Sequence, residues 1–465
     1  AVGYKAMYSN TNGDQNVAIG YQALYSNTTA DFNVAMGYFA LEKNTTGQYN
    51  VGIGYRAVRE NTTGTQNVGV GYDALRENTT GFKNVAVGYA VLNNNTFGDS
   101  NVGMGDEALF TNTTGTNTVA IGRRALYSNI SGDNNIGIGL QALFNNTVGE
   151  NNVAMGTNAM YTSTTGANNV AIGFETMYSN TTGENNVAIG FQALEDNTTG
   201  SSNVAIGRDA LANNTTGYRN VAVGKDCLLT NTIGYENVAM GFQCLEGNTT
   251  GHSNVAIGSQ SLESNTSGKF NVAIGKTVLQ SNQTGEFSVG IGNEVLKNST
   301  GGKNVGIGYQ ALLANTTGQF NIAIGTSALF SLTTARYNVG VGYNAGQTLT
   351  SGEQNVAMGF RALYLSTEAT ECVAIGMEAL RANTTGSYNV AIGSSALKDN
   401  TTGRFNIAIG RFALRNNTTA SGTGAIGNSA LDTNTTGKEH VAIGLNALYS
   451  NTTGTNTAVG YQALK

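Results

Sequence analysis

The feature that most limits what this chain can fold into is one segment. It reads Asn16-Val17-Ala18-Ile19-Gly20-Tyr21-Gln22-Ala23-Leu24, followed by Tyr25-Ser26-Asn27-Thr28-Thr29, and it recurs from end to end. Aligning copies such as Asn33-Val34-Ala35-Met36-Gly37 and Asn50-Val51-Gly52-Ile53-Gly54 gives a unit of about 17 residues repeated about 28 times. A unit that short cannot bury a core alone, so each copy must stack on its neighbours. This overrides the two or three domains that 465 residues would otherwise suggest, and the expectation is a single solenoid over residues 1–465.

Composition agrees. Gly 63, Pro 0 and only 11% charged residues, with Val, Ile and Leu kept in fixed slots, describe neither a disordered chain nor an ordinary globular one. A formal net charge of -5, with Lys and Arg scattered, gives no field to recruit nucleic acid. No apolar run approaches the ~18 residues needed to cross a bilayer, so this segment is not expected to insert in a membrane. The chain opens at Ala1-Val2-Gly3-Tyr4 without a signal peptide or initiating Met, and both ends fall inside a repeat. That suggests a mature or interior fragment whose ends are covered by flanking sequence or by a neighbouring chain.

Within Asn-Val-Ala-Ile-Gly, Val and Ile (or Met) alternate with a small residue, the period-2 pattern of a strand with one face in a core. Val, Ile and Leu are therefore expected inside. The slot between Val and Ile holds Ala or Gly at Ala18, Ala35, Gly52, Gly69 and Ala86, which suggests a close packing interface on the opposite face, against another backbone or a partner chain. After Gly20, Leu24 is held apolar while Gln22 varies freely, which predicts a single helical or 3₁₀ turn or a sharply bent strand. Asn-Thr-Thr-Gly is turn chemistry. Stacking at about 4.8 Å per rung turns each sequence column into a ladder roughly 130 Å long, with two Asn columns (Asn16, Asn33, Asn50 and Asn27, Asn44, Asn61) able to form amide ladders.

One residue is missing near Leu296-Lys297-Asn298 and another near Gly454-Thr455-Asn456, both in or beside the turn. From Ser327 to Cys372 the columns are less well kept, with Leu332, Leu349 and Ser366 in the turn Asn slot and Gly346 in the Leu slot; this predicts a loosened or bent section.

Residues that could carry chemistry are few. Cys227 and Cys244 share a slot one rung apart, within reach of a disulfide or else standing in for Ala, and Cys372 replaces a ladder Asn as a lone thiol. His252 and His440 are the only histidines and are far apart, so no catalytic set, metal site or cofactor site assembles, and no enzyme is expected. Acidic residues such as Asp73, Glu107 and Asp226 sit at variable outer positions, unlike the Asp-rich calcium rolls. Asn27, Asn44, Asn61, Asn78, Asn180 and Asn197 each begin an Asn-x-Thr glycosylation signal, although the turn reading explains the motif without a sugar. Two Thr per turn raise ice binding, and the aromatic column Tyr4, Tyr21, Tyr38, Tyr55, Tyr72 and Tyr89 raises glycan binding or simple sheet stabilisation.

The motif Asn-Val-Ala-Ile-Gly, preceded by Asn-Thr-Thr-Gly, resembles the head repeats of trimeric autotransporter adhesins and related phage-tail-fibre-like surface proteins over essentially the whole chain. The resemblance implies a left-handed parallel β-roll, a homo-oligomer (trimer or filament), an extracellular or cell-surface location, and attachment to a host or environmental surface. It also directs attention to Ala18, Ala35 and Gly52 as the place where protomers pack. The expected function is thus a structural rod in an adhesin, fibre or filament. The alternative is a ligand-binding solenoid, for glycan through Tyr or ice through Thr.

Overall fold

A computed structural model describes all residues, 1–465. The chain is all-β, with 27 short parallel strands, no helix, and about 26 solenoid turns of about 17 residues. The backbone forms two compact units, Ala1–Tyr235 and Glu236–Lys465. The first holds β1 (Val17–Ile19), β2 (Val34–Met36) and their successors through β13 (Val221–Val223); the second holds β14 (Val238–Met240) through β27 (Thr457–Val459). In the first unit Val17 pairs with Val34, Ala18 with Ala35 and Ile19 with Met36. In the second, Val373 pairs with Val390, Ala374 with Ala391 and Ile375 with Ile392. Equivalent residues therefore lie above one another, and parallel pairing turns each column into a ladder.

Which face is inside reverses the expectation. Ala18, Ala35 and Ala86 are buried with their equivalents, together with Ala23 and Leu24, while Val17 and Ile19 are 44% and 40% exposed. Gly52 and Gly69 face inward with them. The small residues are thus not an interface with a partner; they fill the narrow interior of each coil. A Cβ built on Gly52 would lie 3.2 Å from Leu41 Cγ, already tight, and one on Gly69 only 2.5 Å from Val58 Cγ2. The interior column is small because it meets the Leu column across a coil with no room for a branched side chain.

The segment after each strand turns without a helix. Gln22 and Leu24 both have φ of 52° and Phe32 has φ of 58°, so three non-glycine residues per rung sit in the left-handed region, at a local cost. Hydrogen bonds from rung to rung oppose that cost: Gln22 N donates to Tyr4 O at 2.9 Å, Leu24 N to Ala40 O at 3.0 Å and Ser26 N to Glu42 O at 2.9 Å. Gly20 is required twice over, because its φ is 135° and a Cβ there would run into the carbonyl of Gly37 on the next rung.

Both one-residue losses are absorbed outside the strands. β17 (Val289–Asn293) and β18 (Val305–Tyr309) remain in register, Val289 opposite Val305, and Val441 stays opposite Thr457. The shortened turn leaves a polar recess of ≈ 250 Å³ lined by Thr284, Glu286, Thr300 and Lys303 among others. The section from Ser327 to Cys372 is not loosened in its main chain: Ile322 pairs with Val339, Val339 with Val356 and Val356 with Val373. Leu332 and Leu349 are fully buried in the slot of the turn Asn, so an apolar contact replaces an amide bond without breaking the rung.

Candidate functional site

The candidate site is the outward face that sequence reasoning assigned to the core. The first and third positions of every strand hold Val, Ile or Met, except where β25 (Gly424–Ile426) opens on Gly424 and β27 on Thr457. The third position is exposed in most strands where it holds Ile or Met, with Met36 at 39%, Ile53 at 37% and Ile189 at 38%, and half-buried in others such as Val70, Val87 and Ile138. No charged side chain interrupts these two columns. A contiguous uncharged apolar sheet face of this kind is the usual mark of a protein–protein surface. The signal was present in the sequence: an outer column that never varies beyond Val, Ile and Met is selected for something other than solubility.

Beside this strip, after Gly20, runs the tyrosine column. Tyr4, Tyr21, Tyr38, Tyr55, Tyr72 and Tyr89 stack ring on ring, with centroids 4.9–5.5 Å apart and planes within 8–14°. A second ladder, Phe110, Tyr127, Phe144, Tyr161 and Tyr178, stacks at 5.1–5.3 Å. The ring faces are turned to one another, so along each ladder solvent meets edges and hydroxyls rather than the open face that a sugar stacks on.

Between the end rungs the two Asn columns are internal. Asn44 Nδ2 donates to Asn27 Oδ1 at 3.2 Å and to Gly47 O at 2.9 Å, and Asn61 repeats the pattern on Asn44 at 2.7 Å. In the other column Asn33 Oδ1 accepts from Asn50 N at 2.9 Å and Asn33 Nδ2 donates to Gly47 O at 3.0 Å. Asn27, Asn44, Asn61, Asn78, Asn180 and Asn197 are all fully buried, so the folded coil has no place for a glycan on these nitrogens, and the Asn-Thr-Thr motif is structural. The Thr28 column is committed as well, since Thr28 Oγ1 donates to Thr45 O at 3.1 Å and Thr45 Oγ1 to Thr62 O at 2.9 Å. Only the following Thr column, beginning at Thr29, faces water.

Cys227 and Cys244 are buried thiols in the Ala slot rather than a disulfide. Cys227 Sγ points at Val223 O, 3.5 Å away, and Cys244 Sγ at Met240 O, 3.3 Å away, and at Gly258 O. Cys372 keeps its ladder role, with its N–H donating to Asn355 Oδ1 at 3.0 Å and its Sγ donating to Gly386 O at 3.3 Å; burial pushes its thiol up to about 11. A thiol held protonated in this way is unreactive at neutral pH. His440 also fills an Asn slot: it is fully buried and its Nδ1 accepts the Asn456 N–H at 3.1 Å, and burial lowers its pKa.

The charged side chains form rung-to-rung ion pairs on the outer turn. Arg56 grips Asp73 through two bonds of 2.7 and 2.6 Å while its guanidinium lies 4.8 Å from the Tyr55 ring, and Arg59 meets Glu42 at 2.6 Å. At Glu195 the carboxyl pKa is raised by partial burial and then by Asp196, Glu175 and Asp209. No group of three or more His, Cys, Asp or Glu side chains is placed to hold a metal ion, and no helix is long and apolar enough to cross a membrane. No family model and no curated protein matches the chain.

Proposed function

We propose that this chain is the stiff structural portion of an extracellular adhesin, fibre or filament, assembled from several copies of itself. The observation that carries the reading is the in-register Val and Ile strip, exposed along the sheet and free of charge. Its occupant is a second copy, for two reasons. A strip with the same repeat on both sides matches rung for rung without any foreign complementarity. In the first unit alone, at about 60 Å² per side chain, the third positions of β1–β13 offer about 800 Å², to which the half-buried first positions add, against the ~800 Å² per partner of a stable interface.

Buried amide ladders and rung-to-rung bonds support a mechanical role, since each coil is held by the next. The chain presents varied residues on its outer turns while the interior repeats, the arrangement suited to display at a surface. Light scattering on the intact chain tests the assembly: a mass that is a multiple of 48.2 kDa is expected, and a single 48.2 kDa species at micromolar concentration overturns it. A glycan array tests the competing lectin reading. Saturable binding there would favour the ligand-binding solenoid over the structural one.

A further inference from the structure

We infer that the tyrosine ladder from Tyr4 to Tyr89 is a modification site, at which one-electron oxidants staple neighbouring coils through carbon–carbon bonds between tyrosines. The inference does not rest on the assembly proposed above. Its basis is that this ladder keeps the hydroxyl. Stacking alone is served equally by Phe, as Phe174 on Phe191 at 5.4 Å in the same column and the mixed Phe110 to Tyr178 ladder illustrate. Yet the six rings from Tyr4 to Tyr89 are all tyrosine. They are exposed, from 38% at Tyr55 to 61% at Tyr4, so a soluble oxidant reaches them. They are also near parallel and 4.9–5.5 Å apart, so the ring carbons beside each hydroxyl lie next to their counterparts one rung away.

The co-reactant is hydrogen peroxide activated by a haem peroxidase. Each of two adjoining phenols gives up one electron and one proton, leaving two tyrosyl radicals. Their unpaired electrons form one bond between the ring carbons ortho to the oxygens. The hydrogens on those two carbons then move as protons to the oxygens, which restores both aromatic rings and both hydroxyls. Peroxide takes up the two electrons and two protons and leaves as two waters. The product is a biphenol joining residues 17 apart, such as Tyr21 and Tyr38, and so tying one coil covalently to the next.

The test treats the dilute full-length chain with horseradish peroxidase and hydrogen peroxide, reading dityrosine fluorescence and the cross-linked peptides. Eight Tyr–Tyr stacks occur in the chain, five of them in this ladder. Replacing Tyr21, Tyr55 and Tyr89 by Phe keeps the stack but leaves no adjoining tyrosine pair in it. The expected result is intrachain links between successive members of Tyr4 to Tyr89, each removing the mass of two hydrogens, with fluorescence falling by more than half in the triple variant. Circular dichroism of that variant should match the parent, which separates lost chemistry from lost fold. Links found only between chains, or fluorescence undiminished in the folded triple variant, would overturn the inference.

Discussion

Val295 and Gly306 fit one another: a Cβ added to Gly306 would stand 2.5 Å from Val295 Cγ1, inside any permissible contact. The same relation joins Val91 to Gly103 and Val278 to Gly290. Wherever the Ala slot of one coil becomes Val, the strand of the next coil carries Gly in place of Ala. The interior is a fixed volume shared by two columns, and the branched side chain on one side is accommodated by a missing methyl group on the other.

Gly306→Ala should therefore destabilise the second unit by about 1–3 kcal/mol, the usual cost of overpacking a filled core. Adding Val295→Ala should restore most of that loss, because it vacates the same space. A double-mutant cycle by thermal or urea unfolding measures the coupling, and additive losses would show that the two side chains do not share a cavity.

The amide ladder makes a second prediction in both directions. Asn112 donates to Asn95 Oδ1 and Gly115 O and accepts from Asn129, so Asn112→Ala strands buried polar groups and should cost about 2–4 kcal/mol. At Ser163 the ladder is interrupted, and Asn146 Oδ1 and Ser163 Oγ are buried without a hydrogen-bond partner. Ser163→Asn should stabilise the first unit by about 1 kcal/mol. A melting temperature that falls on restoring Asn at 163 would count against the ladder as a stabilising element.

Backbone strain gives a third. Ser202 sits at φ 60° with its N–H bonded to Glu184 O, a conformation glycine adopts freely. Ser202→Gly should raise stability by about 1 kcal/mol despite removing a side chain. The same exchange at a rung residue with negative φ should lower it, and chemical denaturation of the pair of variants gives the comparison.

Acid should loosen the last coils through His440. Its folded pKa lies below the ordinary 6.5 because burial disfavours the charged ring, and the neutral Nδ1 is the acceptor of the Asn456 N–H. A group whose folded pKa is depressed contributes its full stability above the unfolded value and loses it as pH falls from about 6.5 down through the folded pKa. The protection of the Asn456 amide against hydrogen exchange, taken relative to the intrinsic rate at each pH, should thus fall between pH 7.5 and 5, and His440→Asn should remove the fall.

The repeat length, the stacking, the parallel register and the amide ladders were all legible in the sequence, because a column that repeats every 17 residues must become a physical row. Which side of the strand faced inward was not. Period-2 alternation distinguishes two faces without saying which is buried, and Val17 and Ile19 carry more apolar surface than Ala18. What decides is the width of the coil, set by Leu24 reaching across it, and width is a three-dimensional quantity. The Val–Gly pairing held the answer, since only residues sharing an interior need to compensate in size. The bend after the strand was legible, but its left-handed backbone was not: positive φ at Gln22 and Leu24 leaves no mark in residue types that ordinarily avoid it.

The central claim is that small residues line the inside while Val and Ile face outward and are covered by other copies. Thiol labelling tests it most directly, in a chain whose Cys227 and Cys244 are Ala and whose Cys372 is Asn, with one new cysteine placed at Ala188 or at Ile189. A cysteine at 189 should react readily in dilute solution and progressively more slowly as chain concentration rises, while one at 188 should stay unreactive throughout. Faster labelling at 188 than at 189 would contradict the assignment of faces, and labelling at 189 that ignores concentration would contradict the coverage by further copies.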